Sequence, residues 1–150
     1  MRFSEIKNHK ESMGLLFWQV STLWQRKIKK VLQEYDLTHT QFVILAVIEE
    51  LSEQDKTVTQ KNISDFSMID VMTVSSAVRL LVKKGLVSRS QNETDTRANS
   101  IVNTDIGKTI LCKAVKAVDK VDKTFFGNSD KALHETLTEL LKKNCSLENL

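Results

Sequence analysis

The hydrophobic period of this chain changes at Gly85, and that change limits the available folds more than any other feature. Before it, Val74, Ala77, Val78 and Leu81 recur at helical spacing over a segment from Val71 to Lys84, which Gly85 stops. After it come two short alternating runs, Leu86–Gln91 and Ala98–Asn103, joined by the polar loop 92–97. A shorter helix precedes, from Gln60 to about Ser67, with Thr59 as its N-cap and Val58 and Ile63 as a flanking apolar pair. A turn at Ser67–Asp70 leads into the longer helix, and the charge of Asp70 suits a helix N-terminus.

Helix, turn, helix and hairpin, in that order, form a winged helix-turn-helix, a layout that sets its second helix in a DNA major groove with a loop beside it. The residues fit that use. Met72, Thr73, Ser75, Ser76 and Arg79 fall opposite the core positions of the second helix. Short hydroxyl side chains let a helix sit deep in the groove, and a methionine can touch thymine methyls. Arg79, Lys83 and Arg89 are placed to hold phosphates. Taken alone, the helix could equally be amphipathic with an ordinary polar face. The loop adds weight: Arg97 can enter a narrow A·T-rich minor groove, and Asp95 two residues earlier can aim its guanidinium by a charge-assisted hydrogen bond. Against this stands a plain surface ion pair, worth little. Leu80 and Val82 do not fit the two-faced division and read as contacts to another helix.

The flanks are helical. With no proline and four glycines, long helices run uninterrupted. Ser4 to about Glu34 reads as one helix, its stripe of Met13, Phe17, Val20, Trp24, Ile28 and Val31 widened by Leu15, Leu16, Trp18, Leu23 and Leu32. A helix this apolar must bury more than one face, and a partner subunit is the economical cover. Thr38 then caps a helix to about Leu51, with Gln41 completing a capping box and Leu37 and Phe42 a hydrophobic staple. After the hairpin, Thr104 caps a helix to about Phe125, with Ile110, Ala114, Val118, Val121 and Phe125 on one side. Gly127 ends it, and Ser129 or Asp130 starts a last helix carrying Leu133, Leu137, Leu140 and Leu141.

Several function classes find no support. No phosphate-binding glycine loop, zinc-protease or nucleophile-elbow motif occurs, so neither an enzyme nor a cofactor or metal is expected. His9, His39 and His134 fall in different elements; His39 alone, in the first turn of a helix beside the first one, could line a ligand cleft together with Trp18. Cys112 and Cys145 lack metal spacing and read as reduced thiols. No run approaches the ~18 apolar residues of a membrane span, and no leader pattern opens the chain, so a cytoplasmic protein without membrane contact is expected. The acidic excess is confined to Tyr35–Thr57, whereas Val58–Asn103 is net positive.

From Leu37 to Lys108 the chain resembles regulators of the multiple-antibiotic-resistance (MarR) family. The matching strings are LTHTQFVILAVI, VTQKNIS, DVMTVSSAVRLLVKKGLV and DTRANSIVNTDIGK. The family's D-x-R wing pattern falls on Asp95 and Arg97, its Lys-Gly-Leu-Val helix ending on Lys84–Val87, and its Thr-x-x-Gly on Thr104–Gly107. The resemblance implies a homodimer on a pseudo-palindromic double-stranded DNA operator, with a pocket for a small aromatic or anionic effector between dimer platform and reader. Phe66, Ser67 and Met68 stand where the family often has a small residue, leucine and glycine, which predicts a looser or differently packed turn. The oxidation-sensing branch carries a cysteine in its N-terminal helix; this chain has none there, so thiol sensing of that kind is not expected.

The expectation is therefore a mainly α protein, an α+β winged helix in which residues 35–103 read DNA and residues 1–34 and 104–150 form a helical dimerisation region. The rival is a winged-helix protein-interaction module without DNA binding, favoured by the mild net charge of +3.

Overall fold

A computed structural model of the chain describes residues 12–54, 57–91 and 99–148. In order they form α1 (Met13–Leu32), a 3-10 turn (Gln33–Tyr35), α2 (His39–Glu53), α3 (Gln60–Ser67), α4 (Val71–Lys83), β1 (Val87–Gln91), β2 (Asn99–Asn103), α5 (Asp105–Phe126), a second 3-10 turn (Gly127–Ser129) and α6 (Asp130–Glu148). The fold is mainly helical with one antiparallel pair, as the change of period at Gly85 requires. The chain divides into two compact units, Met1–Val118 and Asp119–Leu150.

In the first unit α2 is the centre, touching α1, α3, α4 and β2. Phe42, Ile44, Leu45, Val47, Ile48 and Leu51 are all buried, so α2 is apolar around most of its circumference and needs cover from several sides. Its start is set locally. Thr38 Oγ1 accepts from the Gln41 N–H at 3.1 Å, and the Thr38 N–H donates to Gln41 Oε1 at 3.2 Å. Leu37 and Phe42, the staple residues, are both buried. Thr59 and Asn62 make the same reciprocal box for α3. Val58, Ile63, Val74, Val78, Leu81 and Ile101 complete the core.

The first helix spans the whole of its hydrophobic stripe, from Met13 to Val31. Residues 4–11 of the helix expected from Ser4 lie outside the described residues. Ser12 is extended (φ −72°, ψ 113°) and its hydroxyl accepts from the Leu15 N–H, so α1 begins at Met13. It ends at Leu32, and Asp36 then turns the chain with φ of 52°. Ile28 and Leu32 are buried, whereas Met13, Leu16, Phe17, Trp18, Val20 and Leu23 are exposed. Only the C-terminal part of the stripe packs against other described residues.

On α5 the buried positions are Gly107, Leu111, Ala114 and Val118, spaced by three or four. Cys112, on the same helix, is a free thiol and exposed. In the second unit the Phe125 and Phe126 rings meet edge to face at 5.1 Å. No side chain of residues 130–145 is buried, and Leu137, Leu140 and Leu141 are exposed. No helix among the described residues is long and apolar enough to cross a membrane.

Candidate nucleic-acid interface

Helix α4 divides along its length. Val74, Ala77, Val78 and Leu81 are buried, and Met72, Ser76, Arg79 and Lys83 form an exposed row at spacings of three and four. Met72 is 75% exposed. Ser75 is half-buried on one flank and Thr73 exposed on the other. Leu80 (51%) and Val82 (38%) are also exposed, so the helix contact read for them is absent among the described residues; the core stripe is complete with four residues and the remaining helix surface faces outward.

The start of α4 is fixed by Asp70. Its Oδ1 accepts from the Thr73 N–H at 3.0 Å and its Oδ2 from the Thr73 hydroxyl at 2.6 Å. These bonds, the hydroxyl's first and the backbone's second, hold the Asp70 carboxyl below its ordinary value of 3.8. They also narrow what Thr73 can read. Its hydroxyl proton is already committed, which leaves an oxygen that accepts and a methyl that touches thymine.

The turn before α4 is not loose. Met68 adopts φ of 65°, the left-handed conformation that glycine takes without cost. Its N–H donates to the Ser64 carbonyl at 2.9 Å, closing α3. The Ser64 hydroxyl donates to the Ile69 carbonyl at 2.6 Å, and the Ile69 N–H to Ser67 Oγ at 3.2 Å. Serine side chains thus replace the slack expected of this turn with hydrogen bonds, and the strain is confined to Met68.

The hairpin is tied to the helices at its base. Val87 pairs with Asn103 and Arg89 with Ile101. Beyond the pair, the Ile101 N–H donates to the Val58 carbonyl at 2.8 Å, joining β2 to the residue before Thr59, the cap of α3. Asn103 is buried and donates from Nδ2 to the Leu45 carbonyl (2.9 Å) and Glu49 Oε2 (3.0 Å), locking the strand to α2. The Thr104 N–H donates to the Leu86 carbonyl at 3.0 Å and its hydroxyl to the Gly85 carbonyl at 2.7 Å, while it accepts from the Gly107 N–H at 3.0 Å. Gly107 is necessary because α5 starts against the hairpin: a Cβ there would lie 2.1 Å from the Leu86 carbonyl oxygen. Arg89 is exposed and shares the hairpin face of buried Ile101 at its outer end. Asp95 and Arg97 lie outside the described residues.

Two contributors escape sequence reasoning. Asn103 is a polar residue in the inward register of β2, two after Ile101, and that position was the available signal. Lys84 gives no such signal. Its Nζ reaches back to the α1–α2 junction, donating to the Asp36 carbonyl (2.5 Å) and Gln41 Oε1 (3.2 Å), with Asp36 Oδ2 at 3.5 Å. It thereby closes one end of a cleft of about 610 Å³ between the C-terminal half of α1 and the first turn of α2. His39 lines this cleft. Trp18 does not, and is 71% exposed; it sits too early on α1, and the ring that meets His39, at 5.1 Å, is that of Trp24. Among the described residues no cluster of three or more acidic, histidine or cysteine side chains could hold a metal.

Residues 37–98 match the model of the MarR family. The chain is 40% identical to YdcH, an uncharacterized HTH-type transcriptional regulator of Bacillus subtilis, over 141 residues that cover 93% of this chain and 96% of that one. The structure is similar to that of a mutant MarR of E. coli complexed with operator DNA, at a TM-score of 0.75 and 25% identity, covering 92% and 96% of the two chains. It also shares the fold of CouR of Rhodococcus jostii bound to p-coumaroyl-CoA (TM-score 0.77, 22% identity, 89% and 92% covered).

Proposed function

We propose that this chain, which belongs to the MarR family of helix-turn-helix transcriptional regulators, acts as a homodimeric repressor on a pseudo-palindromic operator. The chain is a DNA-binding regulator of transcription. In each protomer Met72, Thr73, Ser75 and Ser76 read base edges in the major groove. Arg79, Lys83 and Arg89 hold phosphates, and Arg97, aimed by Asp95, enters the minor groove. The protein works on DNA in the cytoplasm and performs no catalysis.

The observation that carries this reading is the exposed row Met72, Ser76, Arg79 and Lys83 on a helix whose other side is wholly buried. The Asp70 cap fixes one end of that helix and the Thr104–Leu86 bond fixes the hairpin that follows. Dimerisation through residues 1–34 and 104–150 is supported by the exposed apolar residues of α1 and, separately, by those of α6. A two-fold dimer sets two reader helices on half-sites about one helical turn apart. A small aromatic or anionic effector shifts that spacing and releases DNA; a related fold that holds p-coumaroyl-CoA supports this part.

The test is selection from a randomised duplex pool, with sedimentation to establish the dimer. The selected site should lose affinity with a log–log salt slope of about −0.9 per phosphate neutralised, so three contacts per protomer give roughly −5. No enrichment at low salt would leave the protein-interaction module as the better reading.

A further inference from the structure

We propose that Asn103 is a positioning residue for DNA binding: its amide fixes the hairpin against α2 so that Arg89 is held ready for a phosphate, at a cost in stability. The proposal rests on the phosphate contact read for Arg89 above and names what sets that contact.

Four residues share one face of the hairpin. Val87 lies opposite Asn103, and Arg89 opposite Ile101. Val87, Ile101 and Asn103 are buried, and of the four only Arg89 is exposed. The face therefore leaves the core at Arg89, two residues, about 7 Å, along β1 from the residue that Asn103 pairs with. A tilt of about 10° at the base moves Arg89 by roughly 1 Å at the backbone and by more at the guanidinium.

Two ties restrain that tilt. One is the backbone bond from the Ile101 N–H to the Val58 carbonyl, ahead of α3. The other is the Asn103 amide, whose Nδ2 donates to the Leu45 carbonyl at 2.9 Å and to Glu49 Oε2 at 3.0 Å, one turn apart on α2. Ties to two different elements stop the hairpin from pivoting about either one. Glu49 extends the second tie, because its other carboxylate oxygen lies 3.9 Å from Lys108 Nζ in the first turn of α5.

The amide is a costly way to make that tie. Its Oδ1 is buried and has no hydrogen-bond partner among the described residues. Turning the amide over gives no relief, since the Leu45 carbonyl and the Glu49 carboxylate are both acceptors and only the NH2 group can face them. Leucine has the same branching without the polar atoms. It would strand neither partner: the Leu45 carbonyl keeps the N–H of residue 49 within α2, and the Glu49 side chain is part-exposed to water. Stability alone therefore favours leucine at position 103. What leucine lacks is a directional bond, and a hairpin that presents Arg89 in one place requires direction.

The experiment measures stability and affinity on the same intact variants, with a duplex selected from the random pool. Asn103→Leu should melt within about 3 °C of wild type or above it. It should nevertheless bind DNA roughly tenfold more weakly, because the hairpins of both protomers of the proposed dimer must then be ordered on binding. Arg89→Gln should also weaken binding, and the double variant should stay within about twofold of the weaker single one, since the amide acts through the guanidinium. Combined with Met72→Ala on the reader helix, Asn103→Leu should instead give the full product of the two single losses. Binding by Asn103→Leu within about twofold of wild type overturns the proposal. So does a larger fall in melting temperature, which would make Asn103 a stabilising core residue, and so does a full product with Arg89→Gln. If Arg89→Gln alone binds like wild type, the phosphate contact read for it fails and the proposal falls with it. If no duplex is enriched, the DNA-reading model itself fails.

Discussion

Replacing Gly107 by alanine puts a methyl carbon 2.1 Å from the Leu86 carbonyl oxygen and 3.0 Å from its carbonyl carbon. An ordinary C···O approach is about 3.3 Å, so α5 and the base of the hairpin must separate by roughly 1 Å. The obstacle is backbone on both sides, and no rotamer change relieves it. Three hydrogen bonds hold that joint: Thr104 N–H to Leu86 O, the Thr104 hydroxyl to Gly85 O, and Gly107 N–H to Thr104 Oγ1. At about 0.5–1.5 kcal/mol each, their loss amounts to roughly 2–4 kcal/mol. The better helix propensity of alanine returns up to about 1 kcal/mol. The net cost is about 2–3 kcal/mol, which for a chain of this size lowers the melting temperature by roughly 4–12 °C. The assay is a thermal melt at fixed protein concentration, since the proposed dimer would make the midpoint concentration-dependent. Gly14→Ala is the control. Its Cβ would meet only Ser12 Oγ at 3.9 Å, and the change should stabilise by up to about 1 kcal/mol. If Gly107→Ala melts within about 1 °C of wild type, the close approach is not the reason for glycine at this position.

Met68→Gly should leave stability unchanged or raise it by up to about 1 kcal/mol, because relief of the left-handed strain outweighs or matches the added chain entropy; urea melts with an unchanged slope would show it, and a clear loss would mean that the Met68 side chain contributes packing. Asp70 has its folded-state value depressed, so its contribution is present above its unfolded value of 3.8 and lost as the pH falls through the lower folded one. Asp70→Ala should therefore melt below wild type at neutral pH, with the gap closing in acid below about pH 3.8; a pH-independent gap would point to another cause. Replacing thymine by uracil in the selected site should cost about fourfold in affinity for each methyl that Met72 covers. Met72→Ala should abolish that difference in a titration by anisotropy, and an unchanged difference would place the methyl contact on another residue.

The local grammar of the reader was legible in the sequence because short-range chemistry decides it. Thr38 with Gln41, Thr59, and Asp70 each settle a helix start through bonds three residues long, and all three caps are found, with Asn62 completing the box of Thr59. The core face of α4 followed from spacing alone, since every predicted residue of it is buried. Where the chain meets itself across distance, the same grammar is silent. A continuous stripe from Met13 to Val31 gave no sign that packing would begin only near Trp24. The turn at Phe66–Met68 departs from the pattern the family resemblance implied, yet Ser64 and Ser67 supply its hydrogen bonds, and those side chains belong to no motif.

The sequence by itself determined that this chain would build a helix-turn-helix followed by a hairpin, because the period of its apolar residues switches at Gly85 and each helix carries its own cap. Tertiary structure alone decided what joins those pieces. Lys84 ends the reader helix in sequence and in space holds the Asp36 carbonyl, forty-eight residues away. Asn103 ties the hairpin to a helix fifty-eight residues earlier, and Gly107 is required only because the Leu86 carbonyl passes where its side chain would be. Capping and periodicity act over a single turn and are written in neighbouring residues. A long-range hydrogen bond or a steric limit exists only once the backbone has brought its two ends together.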